Sequence, residues 1–118
     1  MKFVNLTPHA IHIIRADGTT DTVAPSGLVP RVAQTEVPVG SVDGIDVVSL
    51  VFGAPDALPE PEPDTYYIVS AMLASAIREH NPSTDLSHCL VPTRMVRDSA
   101  GRIIGCSAFS TPNLRLGA

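Results

Sequence analysis

Eleven prolines and eight glycines are spread through 118 residues, so the chain is interrupted every few positions. Proline has no backbone N–H to give a helix or a sheet ladder, and glycine loses the most conformational freedom on folding, so neither suits the interior of a long regular element. Short apolar runs between such breaks favour strands and turns over long helices.

Read from the start, residues 2–6 form a first strand and residues 10–15 a second, with Ile11 and Ile13 on one face. Asp17-Gly18 closes that run with a turn signal, and residues 20–23 return as its partner strand. Pro25-Ser26-Gly27 breaks the chain before residues 28–32 resume it. Val37 and Val39 alternate ahead of Asp43-Gly44, a strong hairpin dipeptide leading into the apolar run 45–52. The first half therefore reads as a β-meander.

Residues 53–64, GAPDALPEPEPD, place prolines at 59, 61 and 63 among four acids. This Pro-rich acidic loop cannot enter a sheet interior. It reads as a solvated connector, with a lid or an oligomer clasp as the sharper alternative. After a return to strand at residues 65–69 the period changes. Val69, Met72, Leu73, Ala76 and Ile77 fall at i, i+3, i+4, i+7 and i+8, the stripe of an amphipathic helix from Ser70 to His80, with Ser70 as N-cap and Asn81-Pro82 as stop. Residues 88–91 are a short strand, and 95–98 with 102–109 form a hairpin through DSAG. The tail, 110–118, has no pattern. The expected fold is one α+β domain over 1–118, a mainly antiparallel β-sheet with one amphipathic helix.

Composition narrows the function classes. With 44% apolar and 17% charged residues the chain can bury a core unaided. A net charge of −4 argues against binding a DNA or RNA polymer, which needs clustered positive charge. Residues 1–77 carry three basic and nine acidic side chains and 78–118 five and three, giving −6 and +2, so a small anionic ligand would favour the C-terminal segment. The opening MKFVNLTPHA has no signal-peptide h-region and no run reaches about 18 apolar residues, so a cytoplasmic protein without membrane association is expected. There Cys89 and Cys106, neither in a CxxC, read as reduced, buried small hydrophobes.

No GxGxxG, GxxxxGK[ST], HExxH or GxSxG occurs. His88 and Cys89 are adjacent, hence on opposite faces of a strand, and cannot form a local dyad. His9, His12, His80 and His88 lack metal-ligand spacing, so no metal and no cofactor is expected. Seven of eight basic residues are Arg, whose planar forks suit phosphate or carboxylate. Arg94, Arg97 and Arg102 crowd the C-terminal hairpin. If Met95 faces inward so does Arg97, which then needs an anion: Asp98, another protein group, or a ligand. Ser70 at the helix entry could cap its own helix or receive a phosphate. Asn5, Thr7 and His9 share a side if the strand continues through Pro8, and satisfy local backbone groups if it turns; spacing favours the turn.

Taken together, NLTPHAI, PSGLVPR, GIDVVSLVFG, LPEPEPDTYYIVS and VRDSAGRIIGC resemble a family of small uncharacterised proteins recurrent in phage and prophage genomes. In that pattern the arginine after the PSG turn corresponds to Arg31, and the VRD triplet includes Arg97-Asp98. The chain departs from it in the length of REHNPSTDLSHCLVP. The resemblance implies a protein of the host cytoplasm that acts by binding, most concretely an anti-defence sponge, a homo-oligomer sequestering a nucleotide-type immune signal without turnover. Arg31, Arg94 and Arg97 would hold phosphate, Asn5, Thr7, His9 and Ser70 would supply hydrogen bonds, and Phe52, Tyr66 and Tyr67 could stack on a base. Two other classes remain open: a small enzyme on an anionic metabolite with His9 as acid or base, and a structural or protein-interaction module.

Overall fold

The computed structural model describes residues 2–112. Eight strands and one helix follow in the order β1 (Lys2–Asn5), β2 (Ile11–Ile14), β3 (Thr20–Val23), β4 (Val32–Val42), β5 (Ile45–Pro55), β6 (Thr65–Ile68), α1 (Ala71–His80), β7 (Cys89–Arg97) and β8 (Ile103–Ser110). The chain is α+β, mostly sheet with a single short helix among the described residues. Its long ladders, β4–β5 and β7–β8, are antiparallel.

Chain order and sheet order diverge. Six strands form one sheet in the order β1-β6-β7-β8-β2-β3, and β4 and β5 pair only with each other. The expected meander holds only as two separate hairpins, because β1 joins β6 in parallel, Val4 opposite Tyr67, and β6 joins β7 in parallel, Tyr67 opposite Cys89. The reason is burial. All four residues of β6 are buried. Tyr67 and Val69 enter a cluster with Leu6, Leu73, Ile77, Leu86 and Cys89, while Tyr66 and Ile68 alternate to the other face. A strand covered on both sides takes parallel neighbours, and such neighbours come from distant sequence.

Helix α1 supplies the cover on one face. Leu73, Ala74, Ala76 and Ile77 are buried, whereas Met72, placed on the stripe by spacing, is 56% exposed at its flank. Ser70 caps the helix as expected: its Oγ accepts the Leu73 N–H at 3.1 Å. The helix stops where Asn81 donates its N–H to the Ile77 carbonyl at 2.7 Å, and Arg78 and His80 in the last turn suit the helix dipole.

Three local expectations are corrected. Residues 28–31 are irregular and strand resumes only at Val32, since Gly27 sits at φ 95° and Pro30 follows. The strands expected at 88–91 and 95–98 are one strand, β7, which runs through Pro92; at that point it leaves β6 and takes up β8, with Val91 opposite Ser110 and Pro92 opposite Phe109. The Pro-rich loop is shorter and less free than expected. Strand β5 extends through Pro55, and residues 56–64 are strapped back: Leu58 packs on the core and the Tyr67 hydroxyl donates to the Glu60 carbonyl at 2.9 Å. Of the tail expected at 110–118, Ser110 ends β8 and residues 113–118 lie outside the described residues.

The six-stranded sheet curls until its outer strands meet. Asn5 at the end of β1 bridges Pro25, just past β3, and its carbonyl accepts the Ser26 N–H at 2.9 Å. The 1% exposed side chain completes the seam: Nδ2 donates to the His9 carbonyl at 2.7 Å and the Val23 carbonyl at 3.0 Å, while Oδ1 accepts the Thr7 N–H at 2.9 Å and lies 2.6 Å from the Thr7 hydroxyl. On the adjoining stretch Gly105 lets β8 lie against β2, since a Cβ there would stand 2.7 Å from the His12 carbonyl. An Asn5→Ala change should lower the unfolding free energy in urea by about 2–4 kcal/mol, because several partly buried groups lose their partner at about 1–3 kcal/mol each. A loss below about 0.5 kcal/mol, the size of an ordinary surface substitution, would remove Asn5 from this role.

Candidate functional site

The opening turn, the entry to α1 and the β7–β8 hairpin enclose a cleft of about 510 Å³. Each wall follows from local sequence. Pro8 turns the chain after β1, setting Thr7, His9 and Ala10 along one side. Val69 and Ser70, where β6 passes into α1, form the back. Met95, Ile103, Ile104 and Cys106 come from the hairpin; Met95 and Cys106 face each other in the β7–β8 register. The lining is apolar apart from Thr7, His9, His12 and Ser70, the composition of a small-molecule site with a few orienting groups.

Of the seven residues expected at a ligand site, this cleft brings together Thr7, His9 and Ser70. Asn5 is excluded by burial: it is 1% exposed, both amide protons are taken up in the seam, its oxygen accepts the Thr7 N–H with the Thr7 hydroxyl beside it, and it does not line the cleft. Asn5, Thr7 and His9 are thus a turn, and the turn is also the cleft wall. The Thr7 hydroxyl has one proton for two oxygens, Asn5 Oδ1 and the His9 carbonyl at 3.0 Å, and keeps lone pairs to offer.

The arginines do not converge. Arg31 stands at the base of the β4–β5 hairpin, its backbone N–H on Asp56 Oδ2 at 2.9 Å and its carbonyl accepting the Asp56 N–H. Arg94 occupies a left-handed position, φ 50°, and its carbonyl accepts from the Ser107 hydroxyl at 3.3 Å. Neither lines the cleft. Arg97 stands opposite Ile103 in the ladder, and strand alternation puts it on the side that Met95 shares. Its guanidinium donates to the Gly101 carbonyl at 2.8 Å, and the carboxylate of Asp98 goes to Arg102 instead, at 3.1 Å. Arg97 is not a lining residue either, but it pairs with Ile103, which is. Tyr66 and Tyr67 are 8% and 5% exposed within the sheet, where no base could stack on them.

Of the polar lining residues, His12 was not among those expected at the site. Its Nδ1 lies 3.0 Å from Thr22 Oγ1, and its place on an exposed strand position gave no sign that a neighbouring hairpin would fold beside it. A second hollow of about 470 Å³ lies under the proline strap, between Glu60, Tyr67, Asp85 and His88. Among the described residues no three His, Cys, Asp or Glu side chains gather as metal ligands, and no helix is long and apolar enough to cross a membrane.

Both cysteines are free and buried. Burial pushes the Cys89 thiol up to about 11, with the Asp85 carboxylate adding in the same direction; burial also raises the Cys106 thiol, against a hydrogen bond from the Ala108 backbone. A raised thiol pKa means a protonated, unreactive sulfur at neutral pH. At pH 8 Ellman's reagent should leave the native protein unlabelled over minutes and titrate both thiols once it is unfolded in guanidinium. Stability should hold below pH 9, where the unfolded thiol begins to ionise, and decline as pH approaches 11. Rapid labelling of the native chain would contradict this burial. Compared with protein-family models, curated proteins and solved structures, the chain matches none.

Proposed function

We propose that this chain is a non-enzymatic binding protein that holds a small molecule in the cleft between the opening turn, the α1 entry and the β7–β8 hairpin. The observation that carries the reading is the cleft's composition: an apolar volume of about 510 Å³ with Thr7, His9, His12 and Ser70 as its polar groups. Such a lining suits a ligand with a flat or apolar body and a few hydrogen-bonding positions. Binding is favoured over turnover because the potential nucleophiles there are not activated. Ser70 Oγ is engaged by the Leu73 N–H, and the Cys106 thiol is raised by burial.

A nucleotide-type ligand fits this reading in one orientation. Its base would enter the apolar cleft, and its phosphate would lie outward, toward Arg97 and the first turn of α1, which carries no acidic residue. Arg31, Arg94 and Asn5 have no part in it. Sequestration of an immune signal in a host cytoplasm rests on the resemblance to phage proteins and on nothing in the cleft.

Native mass spectrometry of the protein with a panel of nucleosides and of cyclic and linear nucleotides tests both levels. The expected result is a complex with one ligand per chain, recovered at unaltered mass. Ile104→Glu, which sets a carboxylate in the cleft wall, should weaken it at least tenfold, and Arg97→Ala should weaken nucleotides but not nucleosides. Ligand recovered with a changed mass would establish an enzyme, and undiminished binding by the folded Ile104→Glu variant would move the site elsewhere.

A further inference from the structure

The β4–β5 hairpin meets the body where β5 approaches α1 and Val32 packs on the core, and among the described residues the remainder of its length is an uncovered arm. Its two 11-residue strands pair with each other and with no other described strand, and 19 of their 22 positions are exposed, including every strand position from Ala33 to Phe52. Asp43 at φ 51° and Gly44 at φ 77° form the tight turn at its tip. The radius of gyration, 16.8 Å, exceeds the roughly 13.5 Å of a compact chain of this length, as a projecting element requires. An isolated two-stranded ribbon is marginal in water.

The register sorts its side chains into two unlike faces. Residues opposite one another share a face, and faces alternate along a strand. Val42 opposite Ile45, Gly40 opposite Val47, Val37 opposite Ser49 and Thr35 opposite Val51 therefore lie together, without one charge. Ser41 with Asp46, Pro38 with Val48, Glu36 with Leu50 and Gln34 with Phe52 make the other face, which holds both acids of the strands. On the uncharged face Val42 is 66% exposed, Ile45 67%, Val51 51% and Val37 44%. Such a contiguous apolar face is what monomeric proteins avoid and interfaces use.

We propose that the charge-free face of the β4–β5 arm packs against the same face of a second copy of this chain. Charge selects the occupant. The arm carries Glu36, Asp43 and Asp46 and no Lys or Arg, so an anionic lipid surface or a nucleic acid would find no cation on it. Two copies, each of net charge −4, can meet on this face with no carboxylate trapped between them, whereas the opposite face would set Glu36 and Asp46 against their own copies. Size is compatible. Each strand runs about 36 Å and the ribbon is about 10 Å wide, so one face covers about 350 Å² in flat projection, and branched side chains standing off it raise the accessible area toward the roughly 800 Å² per partner of a standard interface. A twofold axis makes the contact self-complementary and closes it at two copies.

The test is light scattering with sedimentation equilibrium on the full chain and on variants whose far-UV circular dichroism matches it. The native protein should have twice the 12.4 kDa chain mass at micromolar concentration. Ile45→Lys should weaken association at least tenfold, and Glu36→Lys, on the other face, should leave it intact. Because both native thiols are buried, Ser49→Cys and Ser41→Cys each add one accessible thiol. A short bismaleimide should join two Ser49→Cys chains and not two Ser41→Cys chains. A 12.4 kDa native protein, or the reverse order of the variants, overturns the proposal, as does a monomer that binds lipid vesicles through the arm. No arm residue lines the cleft, so small-molecule binding by Ile45→Lys separates this outcome from that of the binding reading.

Discussion

One buried amide holds the two ends of the main sheet together. Asn5 places both amide protons on the His9 and Val23 carbonyls, takes the Thr7 N–H on its oxygen, and uses its backbone on Ser26 and Pro25. At 1% exposure an unpaired amide would cost more than the bonds return, so the site is either completely satisfied or destabilising. Completely satisfied, it fixes three things at once. It ends β1, sets the path of the Thr7 to His9 turn, and brings the end of β3 to the edge of β1. The wall of the cleft is a by-product of that closure.

Closure of the sheet and burial of β6 are complementary. A strand covered on both faces must be fed by neighbours that can also be buried, and Val4, Tyr67 and Cys89 line up on the helix side while Tyr66 and Ile68 turn inward. The polar ends are managed locally. The proline strap reaches the core through Leu58 and offers the Glu60 carbonyl to Tyr67, so a segment without ladder donors still satisfies a hydroxyl beside the core. Joined to this body near α1, the β4–β5 arm carries the largest concentration of exposed branched residues among the described residues. The contrast is one of arrangement: the body leaves apolar residues open at the cleft and at isolated positions such as Met72, whereas the arm presents them along a whole face.

Much of the local structure was legible. The change from twofold to 3.6-residue spacing at Ser70 located α1 and its cap, and Asp43-Gly44 located the longest hairpin, because both signals arise between residues a few positions apart. The buried character of Cys89 and Cys106 followed from their strand-like surroundings. The candidate site was only partly legible. Thr7, His9 and Ser70 came together, but Asn5 proved to be buried in the fold, and Arg31 and Arg94 were placed by an irregular stretch before β4 and by a left-handed backbone position that no short-range pattern encodes. His12 entered the cleft through a neighbour more than 80 residues away.

The sequence alone determined the element types, the turn at Asp43-Gly44, the N-cap and the absence of catalytic motifs, since each depends on backbone propensities and periodicities read over a few residues. Tertiary structure alone decided that β1 lies beside β6, that β7 changes partners at Pro92, and which face of the β4–β5 ribbon is free of charge. Those are choices of register and neighbour. They turn on which apolar faces can be buried together across long stretches of chain, a property of the whole sheet that no single segment carries.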